Sequence, residues 1–200
     1  MSRSCPYDAE AQTASLESLN HMPPPNQCPD PDQKIPLSTE RQKSSIPMSQ
    51  KYDNQVWIYP SEQMFYNAMK RKNASPHEQD MKTIVPIHNI VNEQAWKHIL
   101  EWESLHADKK CMPRLVKFVG RSKDFTPKAR FFQFLGYKLP FDRHDWIVDR
   151  CGTTVTYVID FYSGASTEKG APSFYLDVRP AMSIQGVYDR ARMLFKQIFG

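Results

Sequence analysis

The 200 residues, 40% of them hydrophobic and 12% aromatic, are enough for one globular domain with tails. Lys and Arg number 26 against 22 Asp and Glu, and no block of like charge occurs, so the basic footprint of a nucleic-acid-binding protein is missing. No stretch approaches the roughly 18 consecutive apolar residues of a membrane span. The first residues also lack the pattern of a signal peptide or of an Arg-rich presequence.

Residues 1–53 contain clustered prolines and many Ser, Gln and Asn residues without a sustained hydrophobic period, which predicts a disordered Pro-rich arm. The folded domain is predicted to occupy residues 54–200. Two Cys-Pro dipeptides, at Cys5 and Cys28, lie in the arm. A thiolate can ligate haem iron, and the proline stiffens the backbone beside it. Incidental thiols remain the alternative.

Helical spacing of apolar residues starts after Val56, and Pro60-Ser61 provides a helix start. A second helix is predicted to begin at Ser75-Pro76 and to stop at Pro86, because proline lacks a backbone N–H. Asn89 or Asn92 then caps a third helix, so His88 is expected in the connection before a helix N-terminus.

Farther along, residues 115–120 predict a short strand, and a short helix is expected to begin at Thr126-Pro127. Alternating apolar residues predict strands at 154–162 and 173–179, and the Gly-containing segment between them favours an antiparallel pair. A last helix carries an apolar face, formed by Val187, Ala191, Leu194, Phe195 and Ile198. The predicted fold class is α+β, with several helices packed on a small antiparallel sheet.

The stretch LPFDRHDWIVDRCG, residues 139–152, places charges directly against aromatic and apolar residues. One interpretation is a polar loop in which Arg143 and His144 stay hydrated before Trp146 enters the core. The other is a pocket wall, in which Arg143 and Arg150 face an anionic ligand and Trp146 offers a flat apolar surface. A large flat molecule with carboxylate edges would fit the second interpretation.

His88 is a second candidate for chemistry. A lone histidine in a connection is often an ordinary surface residue, but imidazole is also a common axial ligand of haem iron. Asn89 and Glu93 could orient its ring through the other nitrogen.

The four cysteines are too few for a disulfide scaffold and too widely spaced for a Cys-x-x-Cys zinc site. They are predicted to be free or specialised thiols. A redox or metal-binding protein is a further hypothesis, which depends only on Cys111 and Cys151.

Six stretches occur in an order that resembles the mitochondrial cytochrome c haem lyases, or holocytochrome c synthases. These stretches are WIYPSEQMFYNAMKRK, IHNIVNEQAW, ILEWESLH, LPFDRHDWIVDRCG, YVIDFY and LDVRPAM. The resemblance covers about residues 56 to 195, and the Cys-Pro arm matches as well. PFDRHDW is its most specific signature.

The resemblance implies an enzyme of the mitochondrial intermembrane space, peripheral to the inner membrane. Such an enzyme joins haem b, with reduced iron, to the Cys-x-x-Cys-His motif of apocytochrome c or of the c-type apocytochrome of the bc complex. It makes thioether bonds with the two haem vinyl groups, and positioning of the reactants supplies most of the catalysis.

The resemblance also implies roles for individual residues. His88 would be the axial iron ligand and, with Glu93, a catalytic residue. Haem or substrate contacts are implied for the remaining matched positions, which are Asn89, Arg143, His144, Trp146, Arg150, Cys5 and Cys28.

One departure affects the substrate. After residues 70–72 many relatives that serve soluble cytochrome c continue with glycine and tryptophans, whereas this chain has Asn73-Ala74-Ser75-Pro76.

A non-catalytic haem carrier or sensor is the alternative function, since the sequence contains no conventional nucleophile triad.

Overall fold

The computed structural model of the chain describes residues 26–49, 55–106, 111–164 and 173–199. These residues form two compact units. The first contains the described residues up to Ser45 together with Val56–Glu93, and the second contains those of Ile46–Gln55 and the residues from Gln94 onward. The chain passes from one unit to the other after Ser45, after Gln55 and after Glu93.

The described chain contains four α-helices and six strands, and its α+β class is the one predicted. The elements are, in order, β1 Lys43–Pro47, β2 Val56–Ile58, α1 Glu62–Arg71, α2 Met81–Glu103, β3 Arg114–Gly120, α3 Pro127–Phe134, β4 Asp142–Arg150, β5 Thr153–Ser163, β6 Phe174–Pro180 and α4 Ile184–Phe199. Two short 3₁₀ turns, Glu78–Asp80 and Ser104–His106, flank α2.

Residues 26–49 are structured, although their sequence showed no hydrophobic period. β1 pairs with β2, and its side chains alternate between buried and exposed positions. Ile46 is buried as an apolar residue, and Ser44 is buried because its hydroxyl donates to the Trp57 carbonyl oxygen at 2.7 Å. A strand can therefore form from the polar sequence KSSIP, because its inward polar side chain has a partner.

Helix α1 begins as predicted, with the Ser61 hydroxyl accepting a hydrogen bond from the Met64 N–H at 3.2 Å. The predicted stop at Pro86 is wrong, because α2 continues through this proline from Met81 to Glu103. An interior proline costs about 3 kcal/mol through its missing N–H and its ring clash. The burial of Met81 and Val85 on one side of the helix offsets this cost.

The second unit contains a four-stranded antiparallel sheet with the order β3-β4-β5-β6. The predicted strand is confirmed as β5, and its apolar face is buried through Val155, Tyr157, Ile159 and Phe161. Val158 and Asp160 on the opposite face are buried as well, so the middle of the strand is not half-buried as predicted. The predicted antiparallel pairing of the last two strands is confirmed as well. LPFDRHDWIVDRCG forms β4 and the residues that flank it, so its charged residues lie on a strand and not in a loop.

The two remaining helices both expose apolar residues. Helix α3 begins at the predicted position, with the Thr126 hydroxyl accepting from the Ala129 N–H at 3.1 Å. The predicted apolar face of α4 exists, but it is exposed, while Gly186 and Asp189 on the opposite side are buried. In the described part of the chain, no helix combines the length and the apolar character that crossing a bilayer requires.

Candidate functional site

His88 lies inside helix α2 and not in a connection, and it is half-buried. Its Nδ1 atom lies 3.2 Å from the Asn89 side-chain oxygen, and its Nε2 atom lies 3.1 Å from the side-chain nitrogen of Asn92. The Asn89 amide in turn donates to the Gln42 side-chain oxygen at 2.9 Å. Both ring nitrogens of His88 therefore have polar partners within the first unit.

These contacts define the tautomer of His88. An amide nitrogen only donates, so Nε2 accepts from Asn92 and carries the lone pair, while Nδ1 carries the proton and donates to Asn89. A neutral imidazole with one nitrogen held by a neighbouring oxygen is the form in which histidine ligates a metal. The ring therefore fits axial coordination of haem iron through Nε2. Asn92 would keep its other hydrogen bond, to the His88 carbonyl oxygen at 2.7 Å.

Two aromatic rings pack edge-on around His88. The ring centroid of Phe65 on α1 lies 5.1 Å from that of His88, and the centroid of Tyr59 lies 6.1 Å away. Such contacts limit the rotation of the imidazole. We call His88, Asn89, Asn92, Tyr59 and Phe65 the His88 cluster.

Glu93 lies on the same helix, about one turn after His88. Its carboxylate accepts hydrogen bonds from the Ser45 N–H at 2.9 Å, from the Ser45 hydroxyl and from the Tyr59 hydroxyl at 2.9 Å. Burial, together with the hydrogen bond to the Glu93 carboxylate and its charge, raises the pKa of Tyr59 above its usual value. Glu93 therefore holds Tyr59 in its neutral form against the His88 ring.

The PFDRHDW residues divide between the two faces of the sheet. His144, Trp146 and Arg150 alternate with Arg143 and Asp145 along β4, so the two sets point in opposite directions. The structure brings Trp146 beside Tyr157 in the β4–β5 register, whereas Arg143 is opposite Asp160. The four predicted contact positions of this stretch, Arg143, His144, Trp146 and Arg150, therefore do not share one surface.

Arg143 is held by local partners. Its guanidinium donates to the Asp145 carboxylate at 2.9 Å and to the Asp124 carbonyl oxygen at 2.8 Å. Arg121 binds the same Asp145 carboxylate at 2.9 Å. Arg143 thus has a structural role in joining β4 to the loop after β3.

Arg150 is only 4% exposed and lies in a buried charge network. Its guanidinium donates to both oxygens of Glu103, at 2.7 and 2.9 Å, to Asp189 at 3.0 Å and to the Tyr157 hydroxyl at 3.1 Å. His106 contacts the other oxygen of Asp189 at 3.0 Å. We call Glu103, Arg150, Tyr157, Asp189 and His106 the Arg150 network. It leaves Arg150 without an exposed surface for an anionic ligand.

His144 and Trp146 each carry a buried nitrogen without a hydrogen-bond partner among the described residues. These atoms are Nδ1 of His144 and Nε1 of Trp146. The Nε2 atom of His144 lies 3.1 Å from the Asp142 carboxylate, and Phe161 packs edge-on to its ring at 5.2 Å. Buried unpaired polar groups are costly and mark positions of functional interest.

Cys111 and Cys151 form a disulfide, so their prediction as free thiols is wrong. Their Cα atoms lie 5.8 Å apart, since the fold brings the end of the α2–β3 connection to the β4–β5 turn. Nothing in the sequence indicated this pairing, because the two cysteines are 40 residues apart. Cys28 belongs to the first unit, where its carbonyl oxygen accepts from the Asn67 amide at 2.9 Å. Cys5 lies outside the described residues.

The whole chain matches known proteins. The family model described as "Cytochrome c/c1 heme lyase" matches residues 2–194. The chain belongs to this family. The "Holocytochrome c-type synthase" of Gallus gallus is 50% identical over 198 residues, which cover 94% of this chain and 72% of the chicken protein.

Two further haem-lyase relatives agree. The Homo sapiens "Holocytochrome c-type synthase" is 49% identical over 198 residues, covering 94% of this chain and 73% of the human protein. The Saccharomyces cerevisiae "Holocytochrome-c synthase" is 38% identical over 225 residues, covering 100% of this chain and 83% of the yeast protein. No solved structure matches the chain. The protein is therefore a haem lyase, and these matches support the enzyme over the non-catalytic carrier or sensor.

The sequence pointed to His88, Asn89 and Glu93 but missed several of their partners. Gln42 and Ser45 were missed because they lie in the segment predicted to be a disordered arm. Asn92 was considered only as a helix cap. The available signal was spacing, since Asn92 follows His88 by four residues and shares its side of a continuous helix.

Proposed function

We propose that this haem lyase attaches haem b covalently to the Cys-x-x-Cys-His motif of a c-type apocytochrome. Each cysteine thiol adds across one haem vinyl group. The sulfur bonds to one vinyl carbon, the thiol hydrogen ends on the other, and the iron enters the reaction reduced. The single observation that carries the proposal is the neutral His88, whose Nε2 lone pair is oriented by Asn89.

In this proposal His88 is the axial ligand from the enzyme, and the histidine of the substrate motif binds the opposite face of the iron. The chain contributes mainly by holding haem so that its vinyl groups meet the two substrate thiols. Asn89 keeps the His88 ring in one tautomer, and Phe65 keeps it in one orientation. Asn92 releases Nε2 without losing its bond to the His88 backbone.

Glu93 is proposed as a positioning residue within this machinery. It accepts three hydrogen bonds, two from Ser45 and one from Tyr59. Its influence on the imidazole would pass through the Tyr59 ring. This role differs from the direct catalytic role that the sequence resemblance implied.

His144 and Trp146 are proposed to contact haem or the apocytochrome, since each has a buried nitrogen for which a bound molecule would supply a partner. Arg150 is proposed to stabilise the end of the same strand through its ion pairs. We keep Arg143, Cys5 and Cys28 as proposed haem contacts on the resemblance alone. Cys28 is disulfide-bonded in the structure, so its sulfur would have to be reduced before it could ligate iron.

We propose that the enzyme acts on both apocytochrome c and the c-type apocytochrome of the bc complex. The family description, which pairs c with c1, supports both substrates. We also propose that the enzyme works in the mitochondrial intermembrane space, peripherally on the inner membrane, as the family resemblance implies.

The test incubates the purified protein with haem, a reductant and each apocytochrome. Product is measured as haem that stays with the apocytochrome after denaturation and acid extraction. An apocytochrome with both motif cysteines changed to serine is the matched control, because it keeps the histidine but has no thiol. Covalent haem only on the thiol-bearing substrate supports the proposal. Haem that binds the enzyme but never reaches either apocytochrome would overturn it.

A further inference from the structure

The apolar face of helix α4 points away from the unit that the helix belongs to. At 100° per residue, all of its apolar side chains except the half-buried Met193 fall within one arc of about 140°. They are Ile184, Val187, Tyr188, Ala191, Leu194, Phe195, Ile198 and Phe199, and all are exposed. Ile184 is 95% exposed and Phe199 is 72% exposed. A helix that packs on a core normally has this arc on the inside.

The opposite side of α4 is fixed by polar contacts. Asp189 is fully buried and accepts hydrogen bonds from Arg150 at 3.0 Å and from Gln185 at 2.8 Å, while His106 contacts it at 3.0 Å. Gly186 lies so close to the Ala181 carbonyl oxygen that an added Cβ would come within 2.0 Å of that atom. Turning the helix to bury its apolar arc would break the Arg150–Asp189 ion pair. The arc is therefore held outward by the fold.

The charges of α4 favour one kind of occupant. Its three basic residues are Arg190, Arg192 and Lys196, and its one acidic residue is the buried Asp189. Arg192 and Lys196 are exposed and flank the same edge of the apolar arc. The Arg192 guanidinium lies 5.7 Å from the ring centre of Tyr188, so its positive charge lies at the border of the arc.

We propose that α4 is an interfacial helix that lies on a bilayer containing anionic lipid, with Leu194, Phe195 and Ile198 inserted at the boundary between headgroups and acyl chains. A convex apolar arc with basic residues at its edge matches the pattern of helices that lie in the membrane interface. Arg192 and Lys196 bind the lipid phosphates. The inference rests on the proposed peripheral membrane association and names the element responsible for it.

The experiment is vesicle flotation of the full chain. One set of vesicles contains equal parts of phosphatidylcholine and phosphatidylglycerol, and the other contains phosphatidylcholine alone. The protein is expected to float with the anionic vesicles and less with the neutral ones, and added salt should weaken the first interaction. Leu194→Ser with Ile198→Ser should lower the bound fraction at least about tenfold, because two large apolar side chains are lost from the interface.

Phe134→Ser is the matched control, because this residue is 87% exposed but belongs to α3. It should leave vesicle binding unchanged. The replaced α4 residues are exposed, so each variant should keep the thermal unfolding midpoint of the unmodified protein. Equal binding by the α4 double variant and the unmodified protein would overturn the inference, and so would equal losses from the α4 and α3 variants.

Haem attachment without lipid separates this inference from the proposed function. The α4 double variant is expected to attach haem at the unmodified rate in a vesicle-free reaction. A large loss there would show that the arc binds the apocytochrome and would overturn the membrane assignment. A change in oligomeric state measured by light scattering would instead assign the arc to a second copy, which also overturns it. If the unmodified protein bound vesicles but never attached haem, the proposed function would be overturned and the membrane assignment would stand.

Discussion

Arg150 of β4 and Glu103 at the end of α2 form a two-pronged ion pair, with N–O distances of 2.7 and 2.9 Å, and both side chains are buried. Desolvation alone would lower the pKa of Arg150, but the hydrogen bond to Glu103 and its charge raise it. The pair connects the end of α2 to the end of β4. The strand that contains PFDRHDW therefore ends in a buried ion-pair network that stabilises the second unit.

Removal of one partner should be strongly destabilising. Arg150→Ala leaves the carboxylates of Glu103 and Asp189 buried and without their shared cation, so we expect the free energy of unfolding to fall by about 3–5 kcal/mol. Urea unfolding measures this change. Glu101→Ala is the control, because Glu101 is exposed and pairs with His98 at the surface, and its loss should cost less than about 1 kcal/mol. Similar stabilities for the two variants would contradict the structural role of Arg150.

The Cys111–Cys151 disulfide closes a segment with a sequence separation of 40 residues. Constraining a loop of this length in the unfolded chain predicts a stabilisation of about 4 kcal/mol. Reduction with dithiothreitol should lower the free energy of unfolding of the unmodified protein by at least about this amount, because the reductant also opens the disulfide of Cys28. The double variant Cys111→Ser with Cys151→Ser should already have the lower value and should not respond to reductant at this bridge. If reductant did not change the unmodified protein, the bridge would be absent in solution.

The raised pKa of Tyr59 predicts that the protein loses stability at high pH. Its pKa is raised in the folded state by burial and by Glu93, so the folded protein keeps a proton that the unfolded chain releases. Its contribution is fully present below the unfolded pKa of about 10 and is lost as the pH rises toward the higher folded value. The decline should reach at most about 1.4 kcal/mol per pH unit for this group.

Urea unfolding at several pH values between neutral and strongly alkaline tests this prediction. Tyr59→Phe should make the decline above pH 10 shallower than in the unmodified protein. Tyr137→Phe is the control, because it removes the same hydroxyl group from an exposed tyrosine. An unchanged slope in Tyr59→Phe would contradict the assigned environment.

Glu93 and Tyr59 should affect haem attachment as a coupled pair. Glu93→Gln and Tyr59→Phe each weaken the contact that steadies Tyr59 beside His88, and each should slow attachment roughly threefold to tenfold. The double variant should be no slower than the slower single variant, because both changes remove the same contact. If the double variant were slowed by the product of the two single-variant factors, the two residues would act independently.

The sequence predicted the elements whose packing follows local pattern. The alternation along β5 and the caps Ser61 and Thr126 identify a strand and two helix starts, because burial and capping depend on neighbouring residues. Pro86 gave a false helix end, since the burial of Met81 and Val85 is a tertiary effect that outweighs the local cost of proline.

The candidate site was predictable only in part. His88, Asn89 and Glu93 carried a recognisable motif, but the tautomer of His88 depends on Asn92 and Gln42, and Gln42 is distant in sequence. In the sequence Arg150 resembled a ligand-binding arginine, but in the structure it pairs with Glu103 and Asp189. Long-range ion pairs of this kind leave no periodic signal in a single sequence, and neither does the Cys111–Cys151 bridge.

The central claim is that His88 is the axial ligand through which the enzyme holds haem. The most direct measurement co-expresses the protein with each apocytochrome and stains a denaturing gel for covalent haem, using the unmodified chain, His88→Ala and His98→Ala. His98 lies on the same helix, and its side chain makes local hydrogen bonds with Gln94 and Glu101. We predict a stained cytochrome band with the unmodified chain and His98→Ala, and none with folded His88→Ala. A band of full intensity with His88→Ala would contradict the assignment of His88 as the axial ligand.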